Sequence, residues 1–372
     1  MTAAITAIVM PKWGLSMKEG TVNAWLVEEG AQITVGVPIL EVETDKIANV
    51  VEAADAGTLR RKVAPAGETL PVKALLGVLA EPDVPEQDID AFIASYVAPV
   101  ETESDADTAA EGAYQFIEVA GLRLRYARRG SAPPVVLFIH GFGGDLDNWL
   151  FNLDALAQSN TVLALDLPGH GQSDPRLPGA KLEDLARFVA RFLDVVGVKS
   201  AHVVGHSMGG AISAQLAVDA PGKVDSVSLI ASAGLGPEIN TGYIEGFVSA
   251  QSRRELKPMI EQLFADPGLV TRQLLDDLLK YKRLDGVTEV LTELSRAQFG
   301  GGVQSAQPGR RLGETGKRVL VVWGAEDRII PATHASHAPT GASVKVIEGA
   351  GHMVQMEKAS EVNALLKKHI AG

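Results

Sequence analysis

The sequence predicts a multidomain protein in which a small all-β flattened barrel precedes a larger, doubly wound α/β domain with a helical cap. Three observations support this fold class. The first 80 residues contain an internal repeat, an acidic segment follows them, and from residue 114 onward short apolar runs alternate with helical patterns. The length of 372 residues also exceeds that of one ordinary domain, which is roughly 150 residues.

Composition and charge narrow the functional classes. The chain is 46% hydrophobic and 22% charged, and no apolar run approaches the roughly 20 residues that a membrane span needs. No basic segment leads into an apolar stretch at the N-terminus, so we expect a cytoplasmic protein without a membrane role. The net charge of -12 argues against nucleic-acid binding. Because the chain has no cysteine, disulfides, thiolate metal sites and a cysteine nucleophile are excluded, and we expect no metal.

Residues 1–80 form the first predicted domain. Gly20-Thr21-Val22 matches Gly57-Thr58-Leu59, and short apolar runs with Gly or Pro between them predict strands. Two similar four-stranded halves of this size suggest a quasi-two-fold barrel or sandwich. The polar segment 43–47 between two such runs predicts an exposed hairpin with Lys46 at its tip, where a lysine is ordinarily just a surface residue.

Residues 81–113 are predicted to be a linker. They contain ten acidic residues, no Lys or Arg, and three prolines. A self-repelling tether would keep two domains apart while letting them meet, although a plain solvated spacer explains the composition equally well. Within it, one set of apolar residues has helical spacing and predicts a short amphipathic helix that packs on a neighbour or docks a partner: Ile89, Phe92, Ile93, Tyr96 and Val97.

Residues 114–372 have the pattern of a parallel sheet covered by helices. Most of the predicted strands are separated by helical stripes such as Leu182, Leu185 and Phe188. An extended, mostly helical stretch at about 235–308 interrupts the alternation and predicts a cap. The predicted strands are 135–139, 162–165, 202–205, 227–230, 319–323 and 344–347.

The strongest chemical motif is Gly205-His206-Ser207-Met208-Gly209, which lies between a predicted strand and a predicted helix. It fits the Gly-x-Ser-x-Gly turn that exposes a nucleophilic serine, and the required acid and histidine follow in the required order. We therefore predict a triad of Ser207 as nucleophile, His352 as general base and Asp327 as the acid. Glu326 is the alternative acid.

A second glycine-rich segment, 140–144, follows the predicted strand 135–139. Its position is the one from which the backbone amide of Phe142, together with that of Met208, would stabilise an oxyanion. The glycines could instead mark only a tight turn.

Together these motifs make residues 114–372 resemble the α/β-hydrolase family with a helical cap. The N-terminal part resembles the lipoyl domains of 2-oxo acid and acetoin dehydrogenase complexes, through the segment 11–20 and through Glu43-Thr44-Asp45-Lys46. Biotin carriers share this fold but usually have methionines beside the lysine, so Asp45 and Ile47 disfavour biotin. Across the whole chain, the fusion resembles the acetyltransferase (E2) components of bacterial acetoin dehydrogenase systems.

This resemblance implies lipoate attached to Lys46 and acetyl transfer from its thioester to coenzyme A. It also implies a thiamine-diphosphate E1, a flavin-dependent E3 (dihydrolipoyl dehydrogenase) and a lipoate-attaching enzyme as partners, and we expect a homo-oligomer. The His-x-x-x-Asp-Gly motif of the usual E2 catalytic domain is absent, and no small subunit-binding domain is evident at 81–113. Candidate cations for the coenzyme A phosphates are Arg253, Arg254, Lys257 and residues 280–283, which could equally be solvated helix faces.

Two alternative functions remain at this point. A serine hydrolase carrying a lipoyl domain would use the same three residues, with water attacking the acyl-enzyme. A carrier or scaffold would use the C-terminal domain only to bind partners.

Overall fold

A computed structural model describes residues 5–13, 17–44, 48–98 and 114–372. The chain divides into two compact units, Met1–Ala110 and Glu111–Gly372. Among the described residues, no helix is long and apolar enough to cross a membrane.

The first unit contains two four-stranded antiparallel sheets, with strand orders β1-β8-β6-β3 and β5-β4-β2-β7. Buried side chains such as Leu40, Val42 and Leu59 form its core, as expected from the alternating apolar runs. The strands are β1 (Thr6–Val9), β2 (Glu19–Trp25), β3 (Gln32–Ile33), β4 (Pro38–Glu43), β5 (Ala48–Glu52), β6 (Gly57–Lys62), β7 (Thr69–Pro71) and β8 (Leu75–Ala80).

Strands β4 and β5 pair in antiparallel register, with Glu43 opposite Ala48. The chain between these partners is 44–47, the segment for which the sequence predicts a hairpin tip. Asp45, Lys46 and Ile47 lie outside the described residues.

The amphipathic helix forms as α1 (Glu86–Ser95) and packs on the barrel. Its Ile89 is fully buried in a cluster with Val78 of β8 and with Val84. Past the end of α1, the Tyr96 hydroxyl donates to the Lys73 carbonyl at 2.9 Å. Of the two outcomes that the sequence left open, the helix therefore packs on its own domain.

This packing changes the extent of the predicted linker. Arg60 and Arg61 of β6 both pair with Glu86 of α1, Arg61 at 2.7 Å, so part of the acidity balances cations of the barrel. The apolar face of α1 covers an apolar strip that the barrel alone would expose to water. Residues 81–98 thus belong to the first folded unit, and the remainder of the predicted linker, 99–113, lies outside the described residues.

The second unit is built on an eight-stranded sheet with the order β16-β15-β14-β13-β11-β12-β10-β9. Strands β11 to β16 run parallel to one another, as the apolar runs predict, and β12 pairs antiparallel with β10. The antiparallel hairpin β9–β10 at one edge is not among the strands predicted from sequence. The strands are β9 (Tyr114–Val119), β10 (Leu122–Arg129), β11 (Val135–Ile139), β12 (Thr161–Leu165), β13 (Ala201–His206), β14 (Val224–Ile230), β15 (Arg318–Gly324) and β16 (Ser343–Ile347).

Helices separate the parallel strands, and four further helices form the predicted cap between β14 and β15. Helix α3 shows why these segments are helical, since its apolar side chains recur at helical spacing and are buried while the intervening ones are exposed. The helices are α2 (Leu150–Ala157), α3 (Leu182–Val195), α4 (Met208–Asp219), α5 (Thr241–Ser249), α6 (Arg253–Ile260), α7 (Arg272–Lys282), α8 (Val287–Phe299), α9 (Val354–Glu357) and α10 (Ala359–Ala371).

The strand order fixes where a site can form. From β11 the chain first adds β12 on one side and then β13 on the other, so the connections leave in opposite directions at the β11–β13 boundary. In sheets of this type, ligands bind in the crevice at the carboxyl ends of strands at such a switch point. The glycine-rich segment 140–144 directly follows β11, and Ser207 directly follows β13.

Candidate active site

Ser207 lies in a strained turn between β13 and α4. Its φ of 53° and ψ of -120° are unusual for a residue with a side chain. A Cβ on Gly205 would lie 2.2 Å from the Gly209 carbonyl oxygen, and one on Gly209 would lie 2.2 Å from that of Ile139. Both flanking positions therefore require glycine, which explains the spacing of the motif.

Asp327 lies in the loop after β15, and its carboxylate accepts four hydrogen bonds. One oxygen, Oδ1, accepts from the amides of Ile329 at 2.8 Å and Ile330 at 3.0 Å. The other, Oδ2, accepts from Trp323 Nε1 at 3.0 Å and from His352 Nδ1 at 2.8 Å. The side chain of Asp327 is fully buried, so these bonds replace its hydration and fix its orientation.

Glu326, the alternative acid, has a different role in the geometry. Its carboxylate accepts from the amides of Gly349 at 3.1 Å and Ala350 at 3.0 Å, in the loop before His352. These bonds lower the pKa of Glu326. The histidine pairs with Asp327, and Glu326 ties the two loops together.

His352 lies in the loop after β16 and is 3% exposed. Because its Nδ1 donates to Asp327, its Nε2 is the nitrogen that can accept a proton. His206 Nε2 donates to the His352 carbonyl at 2.9 Å, and the two rings are 4.8 Å apart. Ser207 and His352 line the same pocket, although no hydrogen bond joins their side chains in the described structure. In enzymes without substrate, such catalytic bonds are often long.

The glycine-rich loop lies against Ser207. A Cβ on Gly141 would be 2.9 Å from that of Ser207, and Phe142 lines the same pocket. Within the described residues, the backbone amides of Phe142 and Met208 donate to no other group. Two unengaged amides beside the serine are what an oxyanion site requires.

His140 fixes the orientation of this loop. The Leu167 amide donates to His140 Nε2 at 2.9 Å, so the ring proton is on Nδ1, which donates to the Gly141 carbonyl at 2.8 Å. Burial lowers the pKa of His140 to about 4, so the ring stays neutral near pH 7. Because the peptide unit is planar, holding the Gly141 carbonyl also sets the direction of the Phe142 N–H.

The pocket above Ser207 has a volume of about 740 Å³ with its open mouth included. The cap supplies a mostly apolar wall, in which Phe247 and Phe299 both pack edge-on against Phe142. The arrangement can hold an acyl compound whose carbonyl reaches Ser207 and whose remainder is largely hydrocarbon.

The predicted cations for coenzyme A are mostly engaged elsewhere. Lys282 is 7% exposed and donates to the carbonyls of Phe247 and Ala250, which end helix α5. Three others pair with carboxylates: Arg253 with Asp276, Lys257 with Glu261 and Lys280 with Asp277. This geometry favours the solvated-face alternative for these three, and Lys282 has a structural role.

Four residues of the site were not assigned a site role from the sequence. His206 lies inside the serine motif and His140 opens the glycine-rich segment 140–144, so both have a local signal, whereas Trp323 and Tyr243 have none. They are His140, His206, Trp323 and Tyr243.

Two families match the chain. The α/β-hydrolase fold family matches residues 134–359, and the family described as biotin-requiring enzyme matches residues 6–79. Among solved structures, a meta-cleavage product hydrolase from Pseudomonas fluorescens has a TM-score of 0.64 at 21% identity, with 70% of this chain and 98% of that one covered. These matches confirm the predicted fold class of both domains.

Relatives from two bacteria illustrate the similarity along the whole chain. The dihydrolipoyllysine-residue acetyltransferase component of the acetoin cleaving system of Cupriavidus necator is 67% identical, with 100% of this chain and 99% of the relative covered. Its counterpart from Pseudomonas putida is 51% identical, with 98% and 99% covered. The chain therefore belongs to the family of dihydrolipoyllysine-residue acetyltransferase components of acetoin cleaving systems.

Proposed function

We propose that this chain transfers an acetyl group from a lipoyl-lysine thioester on Lys46 to coenzyme A, within an acetoin-cleaving enzyme complex. The similarity of the whole chain to two acetyltransferase components is the observation that carries this choice of reaction. The geometry around Ser207 supplies the chemistry, since it combines a strained serine, a buried His–Asp pair and two unengaged amides.

Lipoate, when attached, supplies a dithiol that carries the acetyl group as a thioester. Lys46 falls in the segment between the paired residues Glu43 and Ala48, which suits a lysine that must be reached by a lipoate-attaching enzyme. The strand arrangement of the first unit fits a carrier domain of this kind.

In the first half of the reaction, the Ser207 hydroxyl oxygen attacks the acetyl carbon and His352 Nε2 takes its proton. The amides of Phe142 and Met208 stabilise the oxyanion, and Asp327 stabilises the charged imidazole. Collapse breaks the carbon–sulfur bond, and His352 returns the proton to the leaving sulfur. A thiol has a pKa of about 8.5, so the sulfur leaves far more readily than an amine would.

In the second half, His352 takes the thiol proton of coenzyme A, and the sulfur attacks the acetyl group on Ser207. Collapse breaks the ester bond, and His352 returns the proton to Ser207. Direct transfer without an acetyl-serine is the alternative route, and trapping of an acetyl adduct on Ser207 without coenzyme A distinguishes the two.

The proposal includes the partners that this reaction needs. A thiamine-diphosphate E1 would load the acetyl group, and a flavin-dependent E3 would reoxidise the dithiol. We also propose that the chain acts in the cytoplasm as a homo-oligomer.

A hydrolase is the second candidate, because the C-terminal part is 28% identical to a 2-hydroxy-6-oxononadienedioate/2-hydroxy-6-oxononatrienedioate hydrolase of Paraburkholderia phymatum, with 66% of this chain and 90% of the relative covered. Product analysis with acetyl-dihydrolipoamide, with and without coenzyme A, separates the two. We expect acetyl-coenzyme A as the main product. Acetate released at the same rate regardless of coenzyme A would identify a hydrolase and refute the proposal.

A further inference from the structure

Tyr243 is the polar side chain that the cap contributes to the pocket wall. It lies in helix α5, and its ring stacks on Phe247 at 6.1 Å, which in turn contacts Phe142 at 6.1 Å. The other pocket-lining residues from 235–308, all in the described part of the chain, are apolar. Phe247 thus lies between Tyr243 and Phe142 of the glycine-rich loop, and Tyr243 adds a hydroxyl group to the wall on the far side of Phe247.

The Tyr243 hydroxyl has no hydrogen-bond partner among the described residues, although Tyr243 is only 5% exposed. The oxygen is not among the unpaired polar atoms that are sealed from solvent, and Tyr243 is one of the residues that line the pocket. Tyr281, a half-buried tyrosine of the cap, differs because its hydroxyl donates to the Gly169 carbonyl at 2.8 Å.

An unpaired hydroxyl in an apolar wall is costly unless a ligand pairs with it. Burial raises the pKa of Tyr243, so the group remains a neutral donor. The apolar wall favours a ligand that is mostly hydrocarbon, and the Tyr243 hydroxyl favours a ligand with one hydrogen-bond acceptor within its chain. A thiol arm with a secondary amide has this composition, and both arms of the proposed reaction, lipoyl-lysine and pantetheine, are of this type.

We propose that the Tyr243 hydroxyl donates a hydrogen bond to the amide carbonyl of the thiol arm that enters the pocket. This inference rests on the proposed function and makes Tyr243 a specificity-determining residue that selects thioesters carried on amide-bearing arms. The two arms share this chemistry, and substrates that lack the amide distinguish them.

The test compares the wild-type full chain with Tyr243→Phe, which removes only the hydroxyl. Tyr281→Phe is the matched control, because it removes a hydroxyl of the same cap that lies outside the pocket. Donors are S-acetyl-dihydrolipoamide and S-acetyl octanedithiol, which has a similar hydrocarbon without the amide. Acceptors are pantetheine and propanethiol, and thermal unfolding shows that each variant is folded.

A neutral hydrogen bond contributes enough to change KM roughly 2- to 12-fold. We expect Tyr243→Phe to reduce the KM preference for the amide-bearing compound by that factor, with little change in kcat, and Tyr281→Phe to leave the preference intact. Loss of preference among donors identifies the lipoyl arm, and loss among acceptors identifies pantetheine.

An unchanged preference in both series, or an equal loss with and without the amide, would overturn the assignment of Tyr243. The KM values of the two donors can be compared as long as Ser207 cleaves the thioester, whether the product is acetyl-coenzyme A or acetate. Failure of the proposed function would show instead as acetate in place of acetyl-coenzyme A in the wild-type chain, so the two failures are distinguishable.

Discussion

Replacing Asp327 by Asn should disable the proposed Ser207–His352–Asp327 triad while leaving its shape intact. In the wild-type chain both carboxylate oxygens accept two hydrogen bonds, so every position around the group is occupied by a donor. The side-chain amide of asparagine replaces one carboxylate oxygen by an NH2 group, which then faces the two donors that the oxygen had bound. If the NH2 faces Trp323 and His352, it can pair with the histidine only when the ring proton moves to Nε2, and the base towards Ser207 is then lost. The flipped amide places its NH2 against the amides of Ile329 and Ile330.

The expected loss in rate is large for this reason. In the serine protease triad the same substitution lowers kcat by about 10⁴ through the wrong tautomer, and we expect about 10³ to 10⁴ here. Stability should fall by about 1–3 kcal/mol, because in either orientation at least one donor is left facing the NH2 group. The assay is single-turnover acetyl transfer to coenzyme A, with denaturant unfolding to measure the loss of stability.

Glu326→Gln is the matched control, because this neighbouring acid is the alternative that the sequence leaves open. Its carboxylate accepts only from two backbone amides, and one oxygen of a glutamine can retain part of that contact. We expect the rate of the control to fall by less than about tenfold. A folded Asp327→Asn chain that retained more than a tenth of the wild-type rate, or a greater loss in the control, would refute the assignment.

Three further predictions concern stability and the cap. Ile89→Ala should destabilise the first unit by about 2–5 kcal/mol, because the side chain is fully buried between α1 and the barrel. The measurement is denaturant unfolding of the full chain, and an unshifted first transition would contradict the prediction. Burial lowers the pKa of His140 to about 4 and that of His170 to about 3. As the pH falls from 6.5 to 4, the unfolded chain therefore binds protons that the folded chain does not. The free energy of unfolding should decrease by about 1.4 kcal/mol per pH unit for each histidine. A flat profile of unfolding free energy over that range would exclude this linkage. Lys282→Met should lower the free energy of unfolding by about 1–3 kcal/mol, because it removes the donor to the carbonyls of Phe247 and Ala250 at the end of α5. Since Phe247 lines the pocket, KM should rise more than kcat falls. Steady-state kinetics with an unchanged KM would argue against that role.

The parts of this protein that could be predicted from sequence are those with local causes. The Gly-x-Ser-x-Gly spacing lies within five residues and is visible in the chain itself, although the close approach that requires Gly209 comes from the Ile139 carbonyl of β11. Buried parallel strands are apolar on both faces, and their runs identify most of the sheet. The apolar period of α1 likewise predicts a helix.

The remainder depends on contacts between distant segments. The apolar face of α1 does not reveal that it packs on β8, and the polar exposed residues of β9 hide an edge strand. The charge of a lysine does not distinguish a phosphate-binding role from the buried contacts of Lys282. His140 opens a segment that the sequence singles out, but its bond with the Leu167 amide forms only when two loops meet. Trp323 donates to Asp327, four residues later, and a lone tryptophan near the end of a strand gives no sign of that role.

The central claim is that one chain both carries the acetyl group and passes it to coenzyme A through Ser207. The most direct measurement loads a labelled acetyl group on the lipoylated full chain, adds coenzyme A and follows the label by mass spectrometry in the wild-type chain and in Ser207→Ala. The account predicts that the label leaves the Lys46 peptide and appears in acetyl-coenzyme A in the wild-type chain, and stays on the peptide in the variant. Equal rates of departure in both chains, or label found as acetate, would contradict it.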